Sequence, residues 1–309
     1  MTERLFKGIY AIVLTPFKDN GAVDYETLAE QIAVSVKSKD LAGFVVCGST
    51  AEFTRLSFEE NTQIMQTVKA VNAGRKQLIC GATAGDSHTA GKYVEYINKM
   101  GADAILLAPP YYFKLTEDEI FSYYEEALMQ NVKKLPVIGY NIPQCTNPIS
   151  VSLFEKLLQF ECVKGFKNSW NDMQEITSEI ALRDAYRKDV SMFTGLDACL
   201  YGTLALGGQG VFSAISYLLP NVMNYILKNY QNDNKEKAFK CQCELIKLIN
   251  IVNRFTFPYG YRILSEVAGF PLGKGREAEP EVSKEMVEAA KVEMREVIRT
   301  LVTQFIIQN

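Results

Sequence analysis

Short runs of apolar, largely β-branched residues alternate with longer stretches of helical spacing through the first two-thirds of the chain. The runs are Ile9–Leu14, Gly43–Cys47, Gln77–Gly81, Ala104–Leu107, Pro136–Tyr140, Cys162–Phe166, Ser191–Thr194 and Gly210–Phe212. They are nearly continuous in apolar character, as parallel strands covered on both faces should be. Helix starts fall between them. Asp24 precedes a helical stretch over Tyr25–Ser38. Ser57-Phe58-Glu59-Glu60 and Thr116-Glu117-Asp118-Glu119 have the capping-box pattern, in which a hydroxyl and a carboxylate satisfy free N–H groups of the first turn. Leu115 and Ile120 supply a hydrophobic staple to the second, and Ser152-Leu153-Phe154-Glu155 is a third candidate box.

Strands alternating with helices predict βα units and a parallel sheet. No Gly-x-Gly-x-x-Gly follows the first strand, which favours a closed barrel over a doubly wound sheet. Beyond the eighth strand, Lys235–Arg254, Tyr259–Ala268 and Val282–Gln304 keep helical spacing, with breaks at Pro258, Pro271 and Pro280. The chain therefore reads as an α/β protein: a (β/α)8 TIM barrel over residues 1–225, with a C-terminal helical extension over 226–309 packed on it.

Composition narrows the function. Of the 309 residues 48% are hydrophobic, enough for a large core and against disorder. The net charge of −3 gives no electrostatic reason to expect nucleic acid or an anionic membrane as partner. The seven cysteines are odd in number and sit mostly in apolar runs, as buried thiols in a reducing compartment do. On a helix, the Cys241-x-Cys243 spacing turns the two thiols apart, so no metal site is expected there. His88 is the single histidine, which rules out His-rich metal sites and argues against His-based triads. The opening residues lack the apolar core and cleavage site of a signal peptide, and Gly8–Leu14 is too short to span a bilayer. A soluble cytoplasmic protein is the expectation.

In a barrel, chemistry sits where strands end. The second strand leads into Gly48-Ser49-Thr50-Ala51-Glu52, the fourth into Pro109-Pro110-Tyr111-Tyr112 and the fifth into Tyr140-Asn141-Ile142-Pro143. The sixth runs into Lys167-Asn168-Ser169 and the seventh into Gly195-Leu196-Asp197. A lysine at the end of an apolar strand is desolvated, which favours the free amine that attacks a ketone; the plainer reading is an ammonium that escapes to solvent. Tyr140, one strand away, is a phenol that could carry protons. Gly48-Ser49-Thr50 offers hydroxyls and backbone N–H groups suited to a carboxylate, or simply a turn.

Taken together these landmarks resemble the dihydrodipicolinate synthase and N-acetylneuraminate lyase superfamily of class I, pyruvate-dependent aldolases. The resemblance runs from Thr15-Pro16-Phe17 through Gly48-Ser49-Thr50-Ala51-Glu52, Tyr140-Asn141-Ile142-Pro143 and Gly165-Phe166-Lys167 to Gly273-Lys274-Gly275-Arg276. It implies that Lys167 forms an imine with pyruvate or a longer 2-keto acid, and that Tyr140 is the acid/base. Ser49 and Thr50 would hold the pyruvyl carboxylate, with Ser49 also passing protons to Tyr140. Tyr112 matches the tyrosine that such enzymes lend across a subunit interface, with Tyr111 beside it, and a homotetramer built as a dimer of dimers is implied. No cofactor and no metal are expected, because the imine is itself the electron sink.

The chain departs from that pattern in places. Where dihydrodipicolinate synthases carry a carboxylate-clamping arginine, five residues after the tyrosine, Cys145 stands, and a thiol cannot make a bidentate clamp. Where neuraminate lyases follow Gly-x-Asp with glutamate, Ala198 stands, and the usual glycine before Glu52 is Ala51. What remains fits an enzyme that cleaves a 2-keto-3-deoxy sugar acid to pyruvate and an aldehyde. Gly195, Asp197, Asn168, Ser169 and Ser213 would meet substrate beside Ser49 and Thr50. Three alternatives stay open: synthase or neuraminate lyase activity, dehydration through the same imine, and a non-catalytic binding protein on the same barrel.

Overall fold

The structure, a computed structural model, describes residues 5–278 and 280–307. Eight parallel strands close into a barrel in sequence order: β1 (Gly8–Ile12), β2 (Gly43–Val46), β3 (Gln77–Gly81), β4 (Ala104–Leu107), β5 (Val137–Asn141), β6 (Val163–Asn168), β7 (Ser191–Thr194) and β8 (Gly210–Ser213). The helices between and after them are α1 (Tyr25–Ser35), α2 (Phe58–Asn72), α3 (Ser87–Met100), α4 (Glu117–Leu128), α5 (Val151–Leu157), α6 (Met173–Tyr186), α7 (Leu200–Ala205), α8 (Ile215–Leu218) and α9 (Pro220–Gln231). The chain continues in α10 (Lys235–Val252), α11 (Tyr259–Val267) and α12 (Lys284–Leu301). Helix α9 spans the boundary expected at residue 225 and packs on β1 as well as α10. Among the described residues no helix is long and apolar enough to cross a membrane.

The expected caps at Asp24, Ser57 and Thr116 form, the last two as complete capping boxes. The third expected box does not: Ser150, not Ser152, caps α5, its hydroxyl accepting from the Leu153 N–H. Strand β6 runs to Asn168, two residues further than its apolar run, because Lys167 and Asn168 pair with Tyr140 and Asn141 on one side and with Phe193 and Thr194 on the other.

Two apolar layers hold the barrel. Strand side chains facing outward pack against the helices, as Phe166 does on Phe154 with ring centroids 4.5 Å apart. Those facing inward fill the lumen, where Tyr10, Phe193 and Phe212 cluster with centroids 4.6–5.6 Å apart. The seam between β1 and β8 closes tightly: a Cβ on Gly210 would collide with the Gly8 carbonyl. The β5–β6 ladder contains one irregularity. Val137 pairs with Val163, but Ile138 pairs with Gly165, so Lys164 is an extra residue in β6. Lys164 is tied to Asp189 at 2.8 Å, and the carboxyl of Asp189 is held well below the usual carboxylate range by Arg187 and Lys164.

Candidate active site

The C-terminal ends of the strands surround a cavity of about 380 Å³ lined by Ser49, Thr83, Tyr111, Tyr140, Cys145 and Phe257 among others. Tyr140 and Lys167 project into the lumen from paired positions of β5 and β6. The Lys167 amine lies over the Tyr140 ring, 3.7 Å from its centroid. Lys167 is 1% exposed, and among the described residues no carboxylate lies within ion-pair distance of it. An unpaired buried ammonium is costly, so a lysine in this setting is a candidate for chemistry rather than for stability.

Two hydroxyls flank the phenol. Ser49 Oγ and Ser169 Oγ each lie 3.4 Å from Tyr140 Oη. These contacts are long for O–H···O bonds, as catalytic hydrogen bonds often are outside the Michaelis complex. Ser49 belongs to a tight 3-10 turn, Ser49–Ala51, that follows β2. Thr15 Oγ1 donates to the Ala51 carbonyl at 2.7 Å, and Glu52 behind the turn has a left-handed backbone, φ 61°. Glu52 is buried and accepts from Arg55 at 2.5 Å and Arg262 at 2.8 Å, so helix α11 of the extension braces this turn. Thr50 sits in the same turn, half-buried and away from the cavity wall.

Gly195 is there for clearance. A Cβ at that position would overlap Ser169 Oγ and lie 2.5 Å from Lys167 Cε. Its own N–H donates to the Asn168 carbonyl at 2.8 Å.

Asp197 and Ser213, expected among the substrate contacts, are instead turned toward each other behind the cavity. Ser213 Oγ donates to Asp197 Oδ1, and Tyr261 of α11 donates to Oδ2 at 3.0 Å. Gln242 of α10 donates to the Asp197 carbonyl at 3.1 Å. Burial pushes the Asp197 carboxyl up, and the two hydroxyl donors oppose that shift. The pair fastens the C-terminal extension to the end of β7.

Of the two adjacent tyrosines, Tyr111 lines the cavity of its own chain and packs against Phe53. Tyr112 is 91% exposed with φ 82°. A bulky residue held at positive φ costs ~1–3 kcal/mol and is a marker of function when it persists.

Sequence reasoning overlooked the far wall of the cavity: Thr83, Arg55, Thr146 and Phe257. It also overlooked Glu175 and Glu179 of α6, which bond to Asn141 and Asn168. The helix itself carried a signal for the second: Glu179 falls in one buried stripe with Ile176, Ile180 and Arg183. Cys145 does stand in the cavity, its thiol pushed up by burial and pulled down by the nearby Lys167 charge. Among the described residues no group of three or more His, Cys, Asp or Glu side chains is arranged to hold a metal.

The model of the dihydrodipicolinate synthetase family matches residues 5–297. A 4-hydroxy-tetrahydrodipicolinate synthase of Caldicellulosiruptor bescii is 30% identical over 88% of this chain and 90% of its own. An uncharacterized DapA-like lyase of Pyrococcus horikoshii is 28% identical over 86% of this chain and 91% of its own. Among solved structures, the prophage protein YagE of E. coli, in complex with pyruvate, superposes with a TM-score of 0.84 at 25% identity, covering 96% of this chain and 99% of its own.

Proposed function

The chain belongs to the dihydrodipicolinate synthetase family, and from that premise we propose that it cleaves or forms a 2-keto-3-deoxy sugar acid through an imine at Lys167, with pyruvate and an aldehyde on the other side of the reaction. The protein is a lyase of the class I aldolase type. The observation that carries the finer reading is the buried Lys167 amine, without an ion-pair partner, 3.7 Å over the ring of Tyr140.

In the cleavage direction Lys167 Nζ attacks C2 of the keto acid, and water leaves as the imine forms. Tyr140 takes the proton of the C4 hydroxyl. The C3–C4 bond breaks, the aldehyde departs, and the electron pair passes into the imine to give an enamine. A proton returns to C3 through Tyr140, with Ser49 and Ser169 at 3.4 Å to relay it. Hydrolysis then frees pyruvate and the amine. The electron sink is the imine, so the reading assigns no cofactor and no metal. Ser49 and the backbone N–H groups of its turn would hold the pyruvyl carboxylate, with Thr50 supporting the turn.

Cys145 on the cavity wall supports an uncharged aldehyde, because a carboxylate beside a thiol would lack the partner its burial demands. Thr83, Thr146 and Ser169 can exchange hydrogen bonds with sugar hydroxyls. Exposed Tyr112 at positive φ supports the homotetrameric reading, in which a second copy would receive it.

A second reading, 4-hydroxy-tetrahydrodipicolinate synthase, is favoured by the relative of that name at 30% identity. One experiment addresses both. Borohydride with pyruvate should leave a reduced pyruvyl group on the Lys167 peptide, and an unmodified peptide under saturating pyruvate would sink the imine. In condensation assays with pyruvate, glyceraldehyde or a longer polyhydroxy aldehyde should outperform aspartate semialdehyde; the reverse order by ~tenfold or more, ~1.4 kcal/mol, would install the synthase reading instead.

A further inference from the structure

Strands β5 and β6 end in the same two-residue pattern. A lumenal reactive side chain, Tyr140 or Lys167, is followed by an asparagine that faces the helices, and both pairs are in register. Asn141 Nδ2 donates to Glu175 Oε1 at 3.0 Å, and Asn168 Nδ2 donates to Glu179 Oε2 at 2.9 Å. The two glutamates are four residues apart on α6, neighbours across one helical turn. Each asparagine also locks its own strand end: Asn141 Oδ1 accepts from the Ile149 N–H at 3.0 Å, and Asn168 Oδ1 from the Trp170 N–H at 2.8 Å. Glu179 is 1% exposed, and its Oε1 has no protein partner.

We propose that Glu179 and Glu175 are positioning residues, which hold the strand ends bearing Lys167 and Tyr140 through Asn168 and Asn141, and that Glu179 does so as a neutral acid. The proposal rests on the imine reading of Lys167 given above. Its physics is that of a buried carboxyl beside a half-buried one. They cannot both ionise cheaply, and the one with less solvent keeps its proton. Burial, reinforced by Glu175, pushes Glu179 up to about 8, opposed only by the Asn168 amide, while burial and Asp172 raise Glu175. The groups facing Glu179 are therefore Glu175 on its own helix, with Asp172 acting on that residue from the helix start, and the neutral amides of β5 and β6. Arg183, one turn further on, is directed to Gln209, to the Gly207 carbonyl and to Asp184. Lys167 leaves β6 from the opposite face. When Glu179 loses its proton, a second negative charge appears beside Glu175, and the repulsion is transmitted to the two asparagines and so to both strand ends.

The test needs no sugar substrate. Enzyme-catalysed deuterium exchange into the pyruvate methyl group, followed by NMR, reports imine formation and proton transfer at the site. Wild-type kcat for exchange is expected to fall above pH about 8. Glu179→Gln keeps the shape and the acceptor for Asn168 but cannot ionise, and should carry that fall higher by ~1 pH unit or more. Glu179→Ala should lower kcat for exchange ~tenfold or more, with KM for pyruvate moved less than ~threefold. An alkaline limb unmoved in Glu179→Gln overturns the proposal, as does a wild-type kcat in Glu179→Ala; should the alanine variant not fold, the glutamine variant decides alone. If wild-type enzyme gave no borohydride-trapped pyruvate adduct, the Lys167 reading itself would fall and the proposal with it, a result distinct from trapping with an unmoved limb.

Discussion

Tyr261 of helix α11 donates a hydrogen bond to the buried carboxylate of Asp197 across 64 residues of chain. With Ser213 on the other oxygen, this contact joins the C-terminal extension to the barrel beside the mouth. Tyr261→Phe removes one donor from a buried carboxylate and should cost ~1–3 kcal/mol of unfolding free energy. Urea denaturation measures it, and a midpoint equal to wild type would show that the carboxylate finds another donor.

Tyr140→Phe should leave imine trapping at Lys167 intact while slowing turnover by ~100-fold or more, the range for losing a general acid/base. Single-turnover kinetics with the accepted keto acid separates the two steps. Near-normal kcat in that variant would move the proton chemistry to another group, with Ser49 and Ser169 the nearest hydroxyls.

Gly195→Ala places a methyl group on Ser169 Oγ and against Lys167 Cε. The amine must shift, and shifts of this kind cost ~100-fold in rate when geometry sets the reaction. The expected outcome is a folded protein with a native circular dichroism spectrum and strongly reduced adduct formation. A fully active alanine variant would mean that the lysine stem can yield.

Stability should also report Glu179. Its carboxyl is raised from 4.5 to about 8 in the folded chain. Between those values the folded state still holds a proton that the unfolded state has released, so stability falls as pH rises across the window and changes no further above it. Glu179→Gln has no such titration. The difference in unfolding free energy between the two proteins should move in favour of the variant by ~1 kcal/mol or more from pH 5 to pH 9. Parallel pH dependences for the two proteins would contradict the assignment of that proton.

The barrel could be read from the sequence because strands covered on both faces are apolar almost without interruption, and β3, β4 and β7 have the bounds that pattern predicts. The end of β6 was illegible for the opposite reason: Lys167 and Asn168 are polar, and their strand conformation comes from pairing with β5 and β7. Lys167, Tyr140 and Ser49 do converge as their positions at strand ends suggested. Asp197 and Ser213 were legible as positions but not as contacts. Their partners are each other and a tyrosine from a distant helix, which no local pattern encodes. The wall formed by Thr83, Arg55 and Phe257 is assembled from three separate connections, and although the apolar stripe of α6 marks Glu179 as enclosed, what it and Glu175 hold is set only when Asn141 and Asn168 are placed against them.

The extra residue in β6 has a consequence for how this chemistry can change over time. Side chains alternate between the two faces of a strand, so one inserted residue exchanges inside for outside along everything that follows. Lys164 escapes that exchange by bulging out of the ladder, and the Asp189 ion pair pins it there. A strand that kept Lys164 but drew it into the ladder would set Phe166 beside Tyr140 in the lumen and direct the amine of Lys167 into the helix layer, with every residue of the strand end otherwise unchanged. Most substitutions around the cavity adjust the reaction by degrees, whereas the bulge at this one backbone residue works as a parity bit that decides whether the amine faces the substrate.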